Sequence, residues 1–273
     1  MRIRLMWLAL VSFLVAANGA WASDPPYYLA LGDSLAIGIQ PDVNGQLKPT
    51  SQGYADDLHS FYRSHLPGLR LAKLGCSGET TSSMITGLQS PCSYPAGSQL
   101  SQAIAFLQSH RVVLITVDIG GDNLLGCLSL TRPIDPACVI SATTTAANDL
   151  AVILSALRAN APGVRIVGMN YYDPLLAAAA FGSTGSTLAS LSLQATTAFN
   201  GALEAVYQAL RVPVADVAKT FRSNATSVNF VNVTIALAWT WMGAPAPRGP
   251  DVHPNAIGYF AIATSFAKAI AQP

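Results

Sequence analysis

Tyr27–Leu35 has the sequence YYLALGDSL, in which an apolar run leads directly into Gly32, Asp33 and Ser34. An apolar run bounded by turn residues predicts a buried β-strand with a tight turn at its end. Such a turn puts Ser34 at the carboxyl edge of a sheet, where open α/β sheets hold their ligand crevices. A serine at that edge is a candidate nucleophile if a base reaches it, although Gly-Asp-Ser is also a common turn.

Strand-like and helix-like segments alternate along the rest of the chain. Short apolar segments predict four more strands, at residues 69–74, 112–117, 164–169 and 212–217. Longer segments between them predict helices at residues 54–65, 98–110, 141–160, 192–210 and 255–271. This alternation predicts an α/β fold, a single three-layer α/β/α domain with a mostly parallel five-stranded sheet. We expect residues 124–139 to form a disulfide-stapled loop and residues 175–193 to form a flexible cover.

The composition excludes several kinds of partner. Only 11% of the 273 residues are charged, and the formal net charge is +1. Because lysine and arginine form no basic stripe, we expect no nucleic-acid partner. We find no apolar run after the N-terminus that is long enough to cross a bilayer, so we expect no membrane span in the mature chain. The length suits one domain with a full core, and we expect a monomer.

The first 22 residues have the features of a signal peptide. Arg2 and Arg4 form a positive start, residues 5–17 are apolar, and residues 20–22 (AWA) form a small-x-small cleavage site. The alternative is an uncleaved anchor helix, but the apolar run is too short for that. We therefore expect cleavage near Ala22, a mature domain at residues 23–273, and secretion to the extracellular space or the cell envelope.

The four cysteines of a secreted chain predict two disulfides. Proximity along the sequence favours Cys76–Cys92 and Cys127–Cys138, although three pairings are possible. The sequence contains no Cys-x-x-Cys motif and no cluster of cysteine and histidine, so we expect no metal site.

Polar side chains follow several of the predicted strands and one late loop. Ser34 follows the first strand, Gly78 the second and Asp122-Asn123 the third, whereas His253 precedes the last helix. Acyl transfer needs a hydroxyl nucleophile, a histidine that takes its proton, and hydrogen-bond donors for the oxyanion. Glycine suits a donor because a substrate oxygen can approach its N–H closely. The other three histidines lie on or at the end of predicted helices, so His253 is the candidate base.

These motifs resemble those of the SGNH (GDSL) hydrolase family of secreted bacterial esterases and lipases. Residues 32–35 (GDSL) match its first motif, residues 77–80 (SGET) its second and residues 253–254 (HP) its last. The resemblance implies the flavodoxin-like SGNH hydrolase fold and no cofactor. It also implies that Ser34 is the nucleophile and His253 the base, and that the N–H groups of Ser34 and Gly78 bind the oxyanion.

One departure from the family pattern concerns the oxyanion hole. The family's third motif is Gly-x-Asn-Asp, and here residues 120–123 read GGDN, so Asp122 stands where the family has its oxyanion asparagine. An ionised carboxylate only accepts hydrogen bonds and would repel an oxyanion. We therefore favour Asn123 as the side-chain donor, with Asp122 as the alternative. A hole with only two donors, or reduced activity, stays open as well.

A second departure concerns the acid that orients the histidine. The family's acid lies three residues before the histidine, a position that Pro250 occupies here, and Asp251 lies two before. Asp251 could orient His253 and stabilise its charged form, or a backbone carbonyl could do so. Asp251 could instead cap the following helix near Asn255.

Together, these features predict a secreted serine esterase or lipase that forms an acyl-enzyme. Residues 175–193 and 221–242 are apolar and could line an acyl pocket, which favours a lipid or fatty-acyl ester as substrate, although core packing also explains them. The alternatives are a carbohydrate O-deacetylase with the same fold and a non-catalytic secreted binding protein. The unusual Asp122 makes the binding protein credible.

Overall fold

The computed structural model describes residues 24–128 and 133–272, and the predicted signal peptide at residues 1–22 lies outside them. In chain order the strands are β1 (Tyr27–Gly32), β2 (Ile39–Pro41), β3 (Leu47–Pro49), β4 (Arg70–Lys73), β5 (Val112–Asp118), β6 (Arg165–Met169) and β7 (Val214–Ala215). Five of them form a parallel sheet in the order β4-β1-β5-β6-β7. The predicted parallel α/β sheet is therefore confirmed.

Helices flank this sheet. The α-helices are α1 (Ser34–Ile37), α2 (Tyr54–Arg63), α3 (Thr81–Thr86), α4 (Gln99–Ser109), α5 (Gly121–Leu125), α6 (Pro136–Asn160), α7 (Ser183–Ala209), α8 (Val217–Thr220), α9 (Phe230–Trp239) and α10 (Ala256–Ile270). Two 3₁₀ helices run over Pro174–Phe181 and Trp241–Gly243. Helix α2 packs against α10, whereas α6 packs against α4 and α7.

The register of the two central strands brings their carboxyl ends together. Gly32, the last residue of β1, pairs with Asp118, the last residue of β5. The Cys76 N–H, just after β4, donates to the Gly32 carbonyl at 3.2 Å. Three consecutive strand ends therefore meet at one edge, and helices α1 and α5 begin there at Ser34 and Gly121.

The first part of the segment that we expected to be a flexible cover is buried. Residues 174–181 form a 3₁₀ helix in which Leu176 and Ala177 are fully buried, and α7 begins at Ser183, nine residues earlier than predicted. The small residues serve close packing, since a Cβ at Gly185 would overlap the Ala178 carbonyl oxygen. Small apolar residues here let the two helices approach, and they do not mark a mobile cover.

The predicted loop at residues 124–139 is shorter than expected, because α6 begins at Pro136. The Asp135 side chain caps α6 by accepting from the Ala137 N–H at 2.9 Å. Helix α6 also corrects our expectation about apolar runs, since by length and composition alone it is long and apolar enough to cross a membrane. Its buried residues recur at helical spacing and pack into the core: Ala146, Leu150, Ile153, Leu154 and Leu157.

Two further differences from the prediction are small. Residues 39–49, which lie in a polar segment, form the antiparallel hairpin of β2 and β3. The last sheet strand, β7, has only two residues because α8 begins at Val217.

Two disulfides tie loops to this scaffold. They join Cys76 to Cys92 and Cys127 to Cys138, the pairs that proximity along the sequence favours. The first closes the connection between β4 and α4, which carries Gly78. The second links the end of α5 to the first turn of α6.

Candidate active site

Ser34 is the first residue of α1, and the turn that precedes it fixes its position. The Asp33 Oδ1 atom caps α1 by accepting from the Leu35 N–H at 3.0 Å. The other carboxyl oxygen of Asp33 accepts from the Tyr171 hydroxyl at 3.2 Å. Ser34 is 8% exposed, and within the described residues its N–H has no hydrogen-bond partner. A short capped helix thus holds the hydroxyl and the free N–H at the sheet edge.

His253 lies in the loop before α10 and is 7% exposed. Its Nδ1 atom lies 2.8 Å from Asp251 Oδ1. A carboxylate only accepts hydrogen bonds, so Nδ1 carries the proton and leaves Nε2 free to act as a base. Of the two roles that the sequence left open for Asp251, the contact with His253 is the one present. Helix α10 is capped by Asn255 itself, which accepts from two of its N–H groups.

The loop that carries His253 is held at both ends. The Trp241 N–H donates to the His253 carbonyl at 2.9 Å, and the Asp251 N–H donates to the Trp241 carbonyl at 3.2 Å. The Tyr172 hydroxyl donates to the Val252 carbonyl at 2.8 Å. The sequence assigns no role to Tyr172, because nothing in its local pattern points to the His253 loop.

Ser34 and His253 line the same pocket, which we call the Ser34 pocket. It has a volume of about 50 Å³, and Asp122 lies in its wall. Apolar side chains make up much of the remainder: Leu35, Leu124, Leu125, Leu128, Phe199 and Val252. Folding therefore brings together an early hydroxyl and a late imidazole in one small, mostly apolar space.

Asn123 is not part of the wall of the Ser34 pocket, so the structure gives no support to our preference for it as the side-chain donor. Its Oδ1 atom accepts from the Thr81 N–H at 3.0 Å, and its Nδ2 atom donates to Thr81 Oγ1 at 3.0 Å. Thr81 Oγ1 donates onward to Asp149 at 2.9 Å. The amide of Asn123 thus anchors α3 to α5, and the alternative, Asp122, is the one that faces the pocket.

Gly78 lies in an exposed turn after β4, with a φ of 85° that favours glycine. It is not part of the wall of the Ser34 pocket. A Cβ at this position would come within 3.2 Å of Pro91, so glycine also avoids a tight contact. Within the described residues the Gly78 N–H has no hydrogen-bond partner. The Gly78 turn nonetheless lies beside the turn that carries Ser34, because the Cys76 N–H donates a hydrogen bond to the Gly32 carbonyl.

Glu79 and Gln99 connect this turn to β1, and sequence reasoning missed their role. Gln99 accepts from the Gly32 N–H at 2.7 Å and donates to the Gly32 carbonyl at 2.9 Å. The fully buried Glu79 carboxylate accepts from Gln99 at 3.3 Å and from Tyr94 at 3.2 Å. No local sequence signal points to Gln99, because it acts from a helix 67 residues away from Gly32.

Buried carboxyl groups gather beneath Ser34. Burial raises the pKa of Asp33 well above its ordinary value, and nearby Asp122 adds to the shift. Burial likewise raises the pKa of Asp118, whose carboxyl group has no hydrogen-bond partner among the described residues. For Asp122, burial raises the pKa to about 6, although His253 opposes the shift. Desolvation thus favours the neutral form of all three carboxyl groups.

A larger apolar groove is lined in part by residues just before the His253 loop. It has a volume of about 1120 Å³ and runs between the start of α7 and residues 242–250. Its wall includes Ala178, Phe181, Leu188, Leu191 and Met242 and carries no charged side chain among the described residues. Leu128 and Val252 of the Ser34 pocket pack in the same apolar cluster as Leu188 and Met242. One apolar cluster therefore borders both cavities.

A metal site is not evident in the part of the chain that the structure describes. No group of three or more His, Cys, Asp and Glu side chains there is arranged to hold a metal ion.

Comparison with known proteins gives one family match. The model of the GDSL-like lipase/acylhydrolase family matches residues 30–261, which is most of the chain. No curated protein matches the chain significantly.

Solved structures share the fold at low sequence identity. An extracellular lipase from Streptomyces rimosus is 18% identical with a TM-score of 0.59, covering 89% of this chain and 99% of its own. A phospholipase A1 from Streptomyces albidoflavus is 19% identical with a TM-score of 0.55, covering 90% and 99%. A carbohydrate acetylesterase from Sinorhizobium meliloti is 13% identical with a TM-score of 0.55, covering 90% and 98%.

Proposed function

Because the chain belongs to the GDSL-like lipase/acylhydrolase family, we propose that it is a secreted serine esterase or lipase that hydrolyses fatty-acyl esters. Membership of that family makes it an ester hydrolase in general terms. The observation that carries the finer proposal is the common pocket of Ser34 and His253, with Asp251 bonded to the far side of the imidazole.

The first chemical step is attack by the serine. The Ser34 Oγ atom forms a bond to the ester carbonyl carbon while its proton moves to His253 Nε2. Asp251 holds the proton on Nδ1, so Nε2 presents its lone pair, and the same carboxylate stabilises the imidazolium that forms. General-base help of this kind contributes about a hundredfold to ten-thousandfold in rate.

Two backbone donors are available for the oxyanion. The Ser34 and Gly78 N–H groups have no partner within the described residues, and both belong to the edge where β1 and β4 end. When the tetrahedral intermediate collapses, His253 gives its proton to the leaving alcohol. Water then attacks the acyl-enzyme with His253 again as base, and the acid is released.

The apolar groove supports a substrate with a long acyl chain. Its volume of about 1120 Å³ exceeds the roughly 300–1,000 Å³ of common small-molecule sites. Its wall lacks charged side chains among the described residues, so a hydrocarbon chain loses water there without leaving a charge unpaired. The cluster that it shares with the Ser34 pocket puts this surface close to the proposed reaction centre.

One observation favours the second candidate, a carbohydrate O-deacetylase. The Ser34 pocket itself holds only about 50 Å³, which suits an acetyl group. A sugar site would place polar and aromatic side chains around the scissile ester, and the pocket wall holds Tyr171, Tyr172 and Asp122 beside its leucines. The large apolar groove is what favours the fatty-acyl ester. The balance supports the fatty-acyl ester, and the length of the preferred acyl chain distinguishes the two candidates.

Secretion is part of the same proposal. The two disulfides support it, since such bonds persist in oxidising compartments. The signal-peptide pattern of residues 1–22 agrees with it.

The test is a profile of hydrolysis against p-nitrophenyl esters from acetyl to hexadecanoyl, beside an acetylated xylan. We expect activity that peaks above the short acyl lengths and is lost in Ser34→Ala and His253→Ala. The matched controls are Ser51→Ala and His65→Ala, which change exposed residues and should keep wild-type rates. Equal hydrolysis by Ser34→Ala and wild type would overturn the serine mechanism. Activity confined to acetyl esters and the xylan would overturn the lipid preference, and a wholly inactive wild type would favour the binding protein.

A further inference from the structure

Asp122 occupies the position at which a side-chain donor to the oxyanion would stand. It is the second residue of α5 and lies in the wall of the Ser34 pocket beside His253. Gly121 makes this approach possible, because a Cβ there would come within 2.8 Å of the Tyr171 ring and 3.2 Å of Asp33. The start of α5 is therefore pressed against the turn that carries Ser34.

Within residues 24–128 and 133–272 the Asp122 carboxyl group makes no hydrogen bond and no ion pair, and it faces the Ser34 pocket. The neighbouring Asn123 is already engaged, since its oxygen and its nitrogen are both bonded to Thr81. Of the two adjacent polar side chains, only Asp122 can contact a substrate bound at Ser34.

The surroundings of Asp122 oppose its ionisation. Carboxyl groups approach it from three elements: Asp33 in the turn before α1, Asp118 at the end of β5, and Glu79 in the turn after β4. Tyr172, after β6, faces it as well. Among these neighbours only His253 favours the ionised form, and burial raises the pKa of Asp122 to about 6.

We propose that Asp122 acts as a neutral carboxylic acid that donates its O–H to the oxyanion, in place of the amide donor for which the sequence offered Asn123. This inference rests on the proposed function. The neutral acid has a donor that the carboxylate lacks, so protonation turns a repulsive group into a stabilising one. The working enzyme then carries one proton on Asp122 and none on His253 Nε2.

The proton stays on Asp122 throughout the reaction. As the bond from Ser34 Oγ to carbon forms, the carbonyl electron pair moves onto oxygen and the serine proton moves to His253. As the tetrahedral intermediate collapses, that pair re-forms the carbonyl and the bond to the leaving alcohol breaks. The alcohol oxygen takes the proton from His253. Asp122 only donates a hydrogen bond, which strengthens as negative charge develops and weakens as it disperses.

The test compares the pH dependence of kcat for wild type, Asp122→Asn and Asp122→Ala on a neutral butanoyl ester, with acid release followed by titration. Wild type should show a bell-shaped profile whose alkaline limb falls as Asp122 loses its proton. Asp122→Asn keeps a donor at every pH, so it should lack that alkaline limb and be the faster enzyme at pH 8. Asp122→Ala should lose about a hundredfold to a thousandfold in kcat at pH 5.

Two outcomes would overturn the proposal. One is an Asp122→Ala variant with wild-type kcat at pH 5. The other is an Asp122→Asn variant that keeps the alkaline limb, whatever its absolute rate. Asp24→Asn, at an exposed position, is the matched control and should reproduce the wild-type profile.

Folding and the proposed function are checked separately. Labelling of Ser34 by a fluorophosphonate and an unchanged Tm exclude a misfolded variant. If Ser34→Ala hydrolyses the ester as fast as wild type, the serine mechanism fails. If Ser34→Ala is inactive and Asp122→Ala is fully active, only the role of Asp122 fails.

Discussion

A single oxygen atom of Asp251 contacts His253 twice: Oδ1 accepts from the His253 backbone N–H at 3.0 Å and lies 2.8 Å from the ring Nδ1. The carboxylate thus fixes the main chain and the imidazole of one residue together. This arrangement needs only the two-residue spacing found in the sequence, so the family's three-residue spacing is not required to orient the ring.

Replacement of Asp251 by asparagine should therefore damage catalysis more than folding. The Oδ1 atom of Asp251→Asn can still accept from the backbone N–H and from Nδ1, but the neutral amide no longer stabilises the imidazolium that forms on His253. We expect kcat to fall by about a hundredfold to ten-thousandfold with little change in KM. Steady-state kinetics checks this, and Asp24→Asn is the control. Wild-type kcat in Asp251→Asn would show that His253 does not depend on this contact.

Tyr172→Phe should reduce catalysis by loosening the loop that carries His253. The variant leaves the Val252 carbonyl without its 2.8 Å hydrogen bond, which costs about 1 kcal/mol of stability. Displacement of the ring should lower kcat by about tenfold to a hundredfold.

The matched control for that variant is Tyr259→Phe. Tyr259 is also buried and also donates to a backbone carbonyl, that of Ile39 at 2.9 Å, but it is not part of the wall of the Ser34 pocket and does not touch the His253 loop through this bond. It should show a similar loss of stability with unchanged kcat. Equal loss of kcat in both variants would mean that the effect is general and not transmitted through His253.

Asp173 should make stability depend on pH. Burial raises its pKa to about 7 in the folded protein, against an ordinary value of 3.8. When folding raises the pKa of a group, that group stabilises the folded protein fully at pH values below its pKa in the unfolded chain. This stabilisation is lost as the pH rises through the pKa of the folded protein. The part due to Asp173 is therefore complete below about pH 4 and lost by about pH 7, a change on the order of 4 kcal/mol.

Asp173→Asn should flatten this dependence, because its amide does not titrate and its oxygen can still accept from the Ser192 hydroxyl. Urea denaturation of wild type and variant at pH 5 and pH 8.5 measures the effect. Burial also raises the pKa values of Asp33, Asp118 and Asp122, so these groups change stability with pH in the same direction. The informative quantity is therefore the difference in the free energy of unfolding between wild type and Asp173→Asn. If this difference is the same at pH 5 and at pH 8.5, Asp173 does not titrate in this range.

Leu191→Arg should separate long from short substrates. Leu191 lines the apolar groove and is 43% exposed, so the substitution puts a charge in the groove without disturbing the core. We expect kcat/KM for a dodecanoyl ester to fall by at least about tenfold, since a chain bound there would meet a charge, while a butanoyl ester is unaffected. Val152→Arg, on the exposed face of α6, is the control. If kcat/KM falls equally for both esters, the groove does not bind the acyl chain.

The sequence predicts the scaffold well because its signals are local. An apolar run that ends in Gly-Asp-Ser defines β1 and the turn, and the β-branched segment of β5 defines the adjacent strand. The candidate residues Ser34 and His253 follow from the same local signals, since each lies where a strand or loop meets a helix. Their common pocket depends on the parallel order of the strands, which the alternation of elements predicts.

Other features depend on contacts that no local pattern encodes. The sequence favours Asn123 over Asp122 as the donor, and only the contact with Thr81, 42 residues earlier, shows that the amide of Asn123 is engaged elsewhere. Gln99 bonds to both polar groups of Gly32 from a different helix, and its own surroundings in the sequence are ordinary. The prediction of mobility at residues 174–181 is wrong. Small apolar side chains occur both in mobile segments and in closely packed ones, and only the packing against α7 shows which case applies here.

The bridge between Cys76 and Cys92 has a practical bearing on how this protein is produced. A host cytoplasm that keeps thiols reduced would leave the Gly78 turn untethered, while the packed strands and helices around it still fold. Material from such a host would be soluble yet poorly active, and its low turnover would be mistaken for a weak enzyme. Periplasmic expression, or oxidative refolding, should precede any kinetic comparison of variants.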